Sequence, residues 1–380
     1  MLDFEFTKDQ KEVVDAMVEW YNNGKKPYFL FGGCAGTGKT TIASKLQYHL
    51  PHKPVVKYCA PTAKASKVLI NKGIPAVTMH SLLYKTVTGV DEKTRQLFYE
   101  FTLKDSSEIE CDLIVVDESS MIPKDIWTDM LSFGIPIIAY GDHCQLPPIG
   151  DSFNLMAEDG LDAKLETICR QAKDNEIIKL ATLIRNGINI PFCKNRDIEK
   201  ISVRDFDINR ITNYDQILSG TNATRVWLNE KYRHLTGKVG HPCRGDRMTF
   251  LKNNKDKTVI NGQQIAIASC SKVQNNFNIE YLDVDDPDTG LQNCLISHKL
   301  INNPTSISKI KFEKGEYRPD LMFCDYSYCL SVHKFQGSEA NKVLLYDSDM
   351  FGHWDADFRR KFLYTAVTRA KSFLTIVTNY

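Results

Sequence analysis

The sequence predicts an α/β protein: two parallel sheets covered by helices, the second interrupted by a small β module. Three observations carry that class. Short, continuous apolar runs alternate with helix-patterned stretches across the first 150 residues, as strands buried on both faces of a parallel sheet require. The same rhythm begins again near Lys164 and returns after Ser327. Between these stretches, from about 245 to 325, the pattern turns to short strands separated by turn residues. A chain of 380 residues exceeds one ordinary core, so two large domains with small insertions is the natural division.

Taken in order, Tyr28-Phe29-Leu30-Phe31 is the first strand. It runs into a glycine-rich loop, and Thr40 to Leu50 continues as a helix. Val55–Ala60 is the second strand, followed by a helix from Ala63 to Asn71; Asp112–Val116 and Ile135–Tyr140 are the third and fourth. Residues 84–110 break the rhythm. Lys85–Gly89 and Gln96–Phe101, around the polar Asp91-Glu92-Lys93, read as a β-hairpin. A helix is expected at 174–186, a strand at Gln216-Ile217-Leu218 and a helix from Ala223 to Arg233. The β module shows strands near 247–251, 263–269, 279–284, 291–297 and 307–313, with Asn261-Gly262 and Asp285–Asp288 as turns. Strands at Ser327–Val332, Lys342–Tyr346 and Phe373–Val377 and a helix around 356–367 complete the chain, with no repeat or low-complexity segment.

Bulk properties exclude several classes. A formal charge of +1 is incompatible with a wholly basic binder, so nucleic-acid contact must come from a local groove. No apolar run approaches the roughly 20 residues that span a bilayer. The start Met1–Glu5 is acidic and lacks an apolar stretch, so no secretory leader is expected. Eleven cysteines, an odd number without C-x-x-C spacing, read as reduced thiols in a cytosolic compartment. None has the spacing of structural zinc. Cys34 and Cys144 fall inside motifs and read as tolerated small residues, with a reactive role as the lesser alternative; the basic run from Lys231 to Arg247 reads as a solvated face, with auxiliary DNA contact as the lesser alternative.

The chemistry concentrates in short segments. In Gly33-Cys34-Ala35-Gly36-Thr37-Gly38-Lys39-Thr40, followed by Thr41, glycines let backbone N–H groups turn inward around phosphates at a helix N-terminus. Lys39 would reach the β- and γ-phosphates and the Thr40 hydroxyl would ligate Mg²⁺. Val115-Val116-Asp117-Glu118 ends a strand with two carboxylates, one suited to hold Mg²⁺ (Asp117) and one to orient and deprotonate water (Glu118). Such a pair alone is ordinarily a solvated loop; the upstream lysine makes it catalytic. Gln145, within Gly141–Pro148, suits a γ-phosphate sensor, and Pro147-Pro148 stiffen the adjoining segment. Arg170 and Arg369 suit neutralisation of charge on a transferring phosphoryl group, and the Gln10 amide an adenine edge. On the nucleic-acid side, Pro61-Thr62-Ala63-Lys64, Thr78-Met79-His80-Ser81 and Val332-His333-Lys334 carry groups that grip a backbone without reading sequence. Phe98, Tyr99 and Phe101 could stack on or wedge against bases.

Together these segments resemble superfamily 1 helicases of the 5′-to-3′ branch, which includes RecD and the phage Dda helicase. The resemblance covers nearly the whole chain in order: Gln10, the phosphate loop, Pro61–Lys64, Thr78–Ser81, Asp117-Glu118, Gly141–Pro148, Arg170, Gly220–Thr224, His333–Gly337 and Tyr364–Arg369. It implies two tandem RecA-like domains with ATP in the cleft between them and single-stranded DNA across their tops. Residues 1–163 would form the first, with a strand-separating pin at about 84–108. Residues 164–244 and 326–380 would form the second, with an SH3-like β insertion at 245–325. It adds Gly337 to the nucleotide contacts and Asn222 to the strand contacts. Ser331 stands where the family usually carries Thr, and a hydroxyl survives.

The resemblance implies an ATP hydrolase that moves 5′ to 3′ on single strands and unwinds duplex. ATP and Mg²⁺ are the implied cofactors. Single-stranded DNA and duplex junctions are the implied partners, with single-strand-binding or replisome proteins as further candidates. A monomer acting away from membranes, in the cytoplasm of a bacterial or phage-infected cell, completes the expectation. Two alternatives stay open. One is an RNA helicase of the viral superfamily 1 type, since nothing here reads a 2′-hydroxyl. The other is a nucleotide-switched binding protein, against which Glu118 and both arginines argue.

Overall fold

The computed structural model describes residues 6–24, 26–90, 97–148, 153–169, 175–252, 259, 261–272, 279–284, 291, 294–303, 321–348 and 354–379. The chain divides into two compact units, the first made of Met1–Val90, Phe98–Asn189 and Asp357–Thr368.

The first unit opens on helix α1 (Lys8–Asn23), capped by a reciprocal box in which Thr7 and Gln10 each accept the other's backbone N–H. Strand β1 (Tyr28–Gly33) leads through the glycine loop into helix α2 (Lys39–Lys45). Strand β2 (Val56–Ala60), helix α3 (Ala63–Asn71), strand β3 (Ala76–Thr78) and the short helix α4 (Met79–Leu83) follow. A two-stranded sheet of β4 (Tyr84–Val90) and β5 (Leu97–Leu103) comes next. The turn expected at 91–93 lies outside the described residues. At the hairpin's base the Lys104 ammonium donates to the carbonyls of Ser81 and Leu82, tying the exit strand to the end of α4. Strand β6 (Leu113–Val116), helix α5 (Lys124–Ser132), strand β7 (Ile137–Gly141), strand β8 (Ala163–Leu165) and helix α6 (Glu176–Arg185) complete this stretch.

Six of these strands form one parallel sheet in the order β3-β2-β6-β7-β1-β8. Period-two alternation sends Phe31, Val115, Ile138 and Tyr140 to a core shared with Val13, Met17 and Ile42. Leu30, Ile114, Val116, Ile137 and Ala139 go to the opposite core, with Trp127 and Met130. Both faces are covered, as the continuous apolar runs required. Because β6, β7 and β1 are neighbours, their carboxyl ends bring three loops to one edge, where open parallel sheets bind ligands. The sequence put a domain boundary at 163/164, but Ala163–Leu165 pairs with β1 and the first unit runs on through Asn189. A three-residue strand is too short to register in hydropathy.

The second unit holds Ile190–Ala356 and Arg369–Tyr380. Its sheet uses β9 (Cys193–Lys194), β10 (Ile198–Ser202), β11 (Gln216–Ser219), β17 (Cys329–Ser331), β18 (Ala340–Asp347) and β19 (Ala370–Thr378), in the order β17-β11-β18-β19-β10-β9. All pairings are parallel except β9 with β10. Helix α7 (Asn222–Leu235) follows β11. Strands β12 (Arg247–Phe250), β13 (Gln264–Lys272), β14 (Ile279–Val284), β15 (Cys294–Ser297) and β16 (Met322–Tyr326) close into a barrel. Met248, Phe250, Ile267, Ile296 and Tyr326 fill it. The strand expected at 307–313 lies outside the described residues; β16, pairing with both β15 and β12, closes the ring. Helix α8 (Ala356–Val367) is the last helix, and the segment Asp357–Thr368, which holds all of it but Ala356, belongs to the first unit. Among the described residues no helix is long and apolar enough to cross a membrane.

Candidate nucleotide and strand-binding site

At the end of β1 the chain turns through Gly36 (φ 81°) and Gly38 (φ 83°), a left-handed conformation that glycine adopts without a Cβ clash. Space is equally restrictive. A Cβ on Gly38 would stand 2.5 Å from the Gln10 amide nitrogen, and one on Gly33 would stand 2.6 Å from the Thr37 hydroxyl. The loop is thus a bare-backbone cradle at a helix N-terminus, suited to the phosphates of a nucleotide. The Lys39 ammonium folds back onto the carbonyls of Gly33 (2.7 Å) and Cys34 (3.0 Å), exchangeable partners for a group meant to meet phosphate oxygens. Thr40 and Thr41 follow in α2, both half-buried. Gln10 is 1% exposed, and its amide donates to the Thr37 carbonyl (2.9 Å). It braces the loop from outside the sheet.

At the end of β6, Asp117 and Glu118 are half-buried. Burial, with the Glu118 carboxylate beside it, pushes the Asp117 carboxyl up to about 7, against the pull of the Lys39 ammonium. Glu118 sits at φ 53°, a left-handed backbone rare for a non-glycine residue. Its N–H donates to Asp117 Oδ1 (2.7 Å) and its carbonyl accepts from Met121 N–H, which holds the strained turn. A cation against Asp117 and Thr40 would suit this donor set, hard oxygens being the ligands Mg²⁺ takes.

At the end of β7, Asp142 is fully buried, and burial raises its pKa. Three donors support it: the Tyr364 hydroxyl (2.7 Å), the Cys144 N–H (3.0 Å) and the Gln145 amide (3.3 Å). Gln145 Oε1 is buried with no hydrogen-bond partner among the described residues, an acceptor available to a water or ligand. From α8, the Tyr364 hydroxyl also accepts from the Ala35 N–H of the loop (2.9 Å), and the Thr365 hydroxyl accepts from Leu146 N–H (3.0 Å). Cys34 lies 3.2 Å from Cys144 and 2.8 Å from the Arg185 guanidinium of α6. Arg185 escaped the sequence reading, because a basic residue ending an amphipathic helix carries no signal of its own. Arg170 lies outside the described residues.

The strand-side candidates fall on both units. Thr62 and Thr78 cap α3 and α4, their hydroxyls accepting from Ala65 and Ser81 N–H (3.1 Å each), so both oxygens already serve a helix end. Pro61 and Lys64 flank the first cap, both half-buried. The exposed His80 packs against Tyr84 (5.5 Å between rings) and Phe101 (5.9 Å), and Phe101 is 58% exposed. Phe98 falls on β5, its side chain outside the described residues.

In the second unit, Asn222 opens α7 and its side-chain Oδ1 accepts from Arg225 Nε, while the Arg225 guanidinium pairs with the buried Asp325. His333 and Lys334 form a single 3₁₀ turn after β17. The Ser331 hydroxyl accepts from Lys334 N–H (3.3 Å), so the serine performs a capping task there. Burial lowers the His333 pKa, and burial pulls the Lys334 ammonium down to about 8 despite the attraction of Asp325. Gly337 is left-handed (φ 69°). Arg369 is 5% exposed at the head of β19, where its guanidinium donates to the Ser338 carbonyl (3.3 Å).

Comparison with known proteins gives consistent matches. Residues 5–201, just over half of the chain, match the AAA domain family, and residues 326–377 match the UvrD-like helicase C-terminal domain. The RecBCD enzyme subunit RecD of Buchnera aphidicola is 31% identical over 40% of this chain and 28% of its own length. The uncharacterized protein R530 of Acanthamoeba polyphaga mimivirus is 28% identical over 40% of this chain and 35% of its own. The match thus spans about a third of each relative. Among solved structures, the Pif1 helicase from Bacteroides in complex with ADP-AlF3 and ssDNA is similar over 100% of this chain and 93% of its own, with a TM-score of 0.57 and 20% identity. Pif1 from Candida albicans is similar over 98% and 94%, with a TM-score of 0.53 and 17% identity. These two likenesses describe the fold.

Proposed function

This chain belongs to the AAA domain family, and from that premise we propose an ATP-driven motor that travels 5′ to 3′ along single-stranded DNA and separates duplex. One observation carries the nucleotide half. Lys39, Asp117 and Gln145 follow three adjacent parallel strands, with a phosphate-shaped backbone cradle among them. The family resemblance across both sheets and the UvrD-like helicase match supply the DNA half.

In this reading the backbone N–H groups from Gly33 to Thr40 bind the phosphates, and the Lys39 ammonium leaves its carbonyl partners for the β- and γ-oxygens. Mg²⁺, held by Thr40 and Asp117, would neutralise charge on those oxygens. Glu118 orients the attacking water and accepts its proton, while Gln145 bonds the γ-phosphate and reports its loss through its bond to Asp142. Gln10 and Gly337 take the base side, and Arg170 and Arg369 would complete the charge around the terminal phosphate. Pro61, Thr62, Lys64, Thr78 and His80 of the first unit would hold the strand backbone, as would Asn222, His333 and Lys334 of the second. Residues 84–108 act as the pin, with Phe98 at the junction, and the barrel as the SH3-like module. The working unit is a monomer in the cytoplasm, with single-strand-binding or replisome proteins as partners.

Strand displacement on 5′-tailed and 3′-tailed duplexes, with ATPase rates measured on single-stranded DNA and RNA, tests this directly. Unwinding of the 5′-tailed substrate with DNA-stimulated turnover is expected. Stimulation by RNA alone, or turnover indifferent to either strand, would reject it.

A further inference from the structure

Cys34 and Cys144, which are 110 residues apart, meet with their sulfurs 3.2 Å from each other. One sits in the phosphate loop, the other between Asp142 and Gln145. Around them, the Arg185 guanidinium donates to Cys34 Sγ (2.8 Å) and His143 Nε2 lies 4.0 Å from it. We propose that Cys34 and Cys144 are a peroxide-sensitive pair whose disulfide bolts the phosphate loop to the loop after β7 and stops nucleotide turnover.

Geometry favours a bond. A disulfide needs about 2.05 Å between sulfurs, so the pair closes by roughly 1 Å, within reach of side-chain rotation. Charge favours the first step. Contact with the Cys144 thiol, reinforced by His143 and Arg185, draws the Cys34 pKa down, while the same contact and burial push Cys144 up. Of the two, Cys34 is thus the one biased towards thiolate and Cys144 the one biased towards thiol. The cluster of Cys34, Asp142, His143 and Cys144 also has the residue types of a metal site. The guanidinium on Cys34 opposes a cation there, and the Asp142 carboxylate already accepts from three donors.

Cys34 is 5% exposed and Cys144 half-buried, so a small oxidant reaches the pair more readily than a bulky one. The chemistry balances with hydrogen peroxide. The Cys34 thiolate attacks one peroxide oxygen, breaking the O–O bond, and the released hydroxide takes a proton to become water. The resulting sulfenic acid is attacked at sulfur by Cys144, whose proton leaves with the expelled hydroxide as a second water. Two thiols are oxidised and one peroxide is reduced. Once joined, the Cys34 segment, whose carbonyl holds Lys39, and the segment bearing Gln145 move as one piece.

The consequence for turnover rests on the ATPase reading; the bond itself does not. The test treats the full-length chain with hydrogen peroxide, maps linked peptides by mass spectrometry under non-reducing conditions, and measures DNA-stimulated ATPase before and after dithiothreitol. Expected are a link between the peptides carrying Cys34 and Cys144, a loss of two hydrogens, an ATPase fall of about tenfold or more that the reductant reverses, and in Cys144→Ala a dimedone adduct on Cys34 in place of the link. Arg185→Gln should slow link formation several-fold. Oxidation of other cysteines with these two unlinked overturns the pair, and a link that leaves ATPase unchanged overturns its control of turnover. If untreated protein shows no ATPase, the motor reading fails, while peptide mapping still decides for or against the disulfide.

Discussion

The Tyr364 hydroxyl donates to the buried carboxylate of Asp142 (2.7 Å) and accepts from the Ala35 N–H of the phosphate loop (2.9 Å). One side chain thus ties the loop after β1 to the loop after β7. Tyr364→Phe leaves Asp142 buried with one donor fewer, which should cost about 1–3 kcal/mol of stability. Turnover should fall about tenfold or more, because loosened loops misplace Lys39 and Gln145. The pH dependence has a defined sign. Burial raises the Asp142 pKa above its unfolded value and the Tyr364 hydroxyl opposes that rise. The folded state is therefore penalised once pH climbs through the folded value, and the variant more so. Thermal melts should show a larger loss at neutral pH than in acid near the ordinary carboxyl value of 3.8; equal losses would count against the coupling.

Lys39→Ala removes the ammonium now resting on Gly33 and Cys34 carbonyls. Loss of one preorganised positive group from a phosphoryl-transfer site costs about 10²–10³ in kcat. Single-strand binding without nucleotide, measured by fluorescence anisotropy, should survive. Normal turnover would remove the whole site assignment.

Local patterns made much of this site readable. The glycines, lysine and threonine of the loop lie within a few residues of one another, as do Asp117 and Glu118, and each set follows an apolar strand. The β-barrel was legible as β character, but its closure through β16 was not, because that strand is as apolar as the neighbouring sheet strand β17. Arg185 reaches Cys34 across 151 residues and Tyr364 reaches Asp142 across 222, distances over which no periodicity carries information. Cys34 and Cys144 looked like two unrelated small residues for the same reason.

Phe101 projects 58% exposed from the hairpin, its ring against Tyr84 (6.4 Å) and His80. A ring so exposed contributes about 1 kcal/mol or less to folding, so Phe101→Ala should fold normally. If the hairpin splits duplex, unwinding rates fall several-fold while DNA-stimulated ATPase holds. Parallel loss of both activities, or of neither, would detach the hairpin from strand separation.

Lys334 gives the sharpest pH test. Burial draws its pKa down to about 8, below the ordinary lysine value of 10.5. The charged form is thus disfavoured in the folded protein, a cost present below pH 8 and relieved as pH rises towards the unfolded value. If Lys334 holds a strand phosphate, that contact requires the charge, so single-strand affinity should decline from pH 7 to pH 9 as the free protein loses that proton, approaching about tenfold per unit above 8. Lys334→Arg keeps its charge throughout this range and should flatten the profile. Histidine cannot imitate the effect. Burial lowers the pKa of the neighbouring His333 from 6.5, so its titration ends well before pH 8. An affinity profile identical in wild type and Lys334→Arg would take Lys334 out of the strand contact.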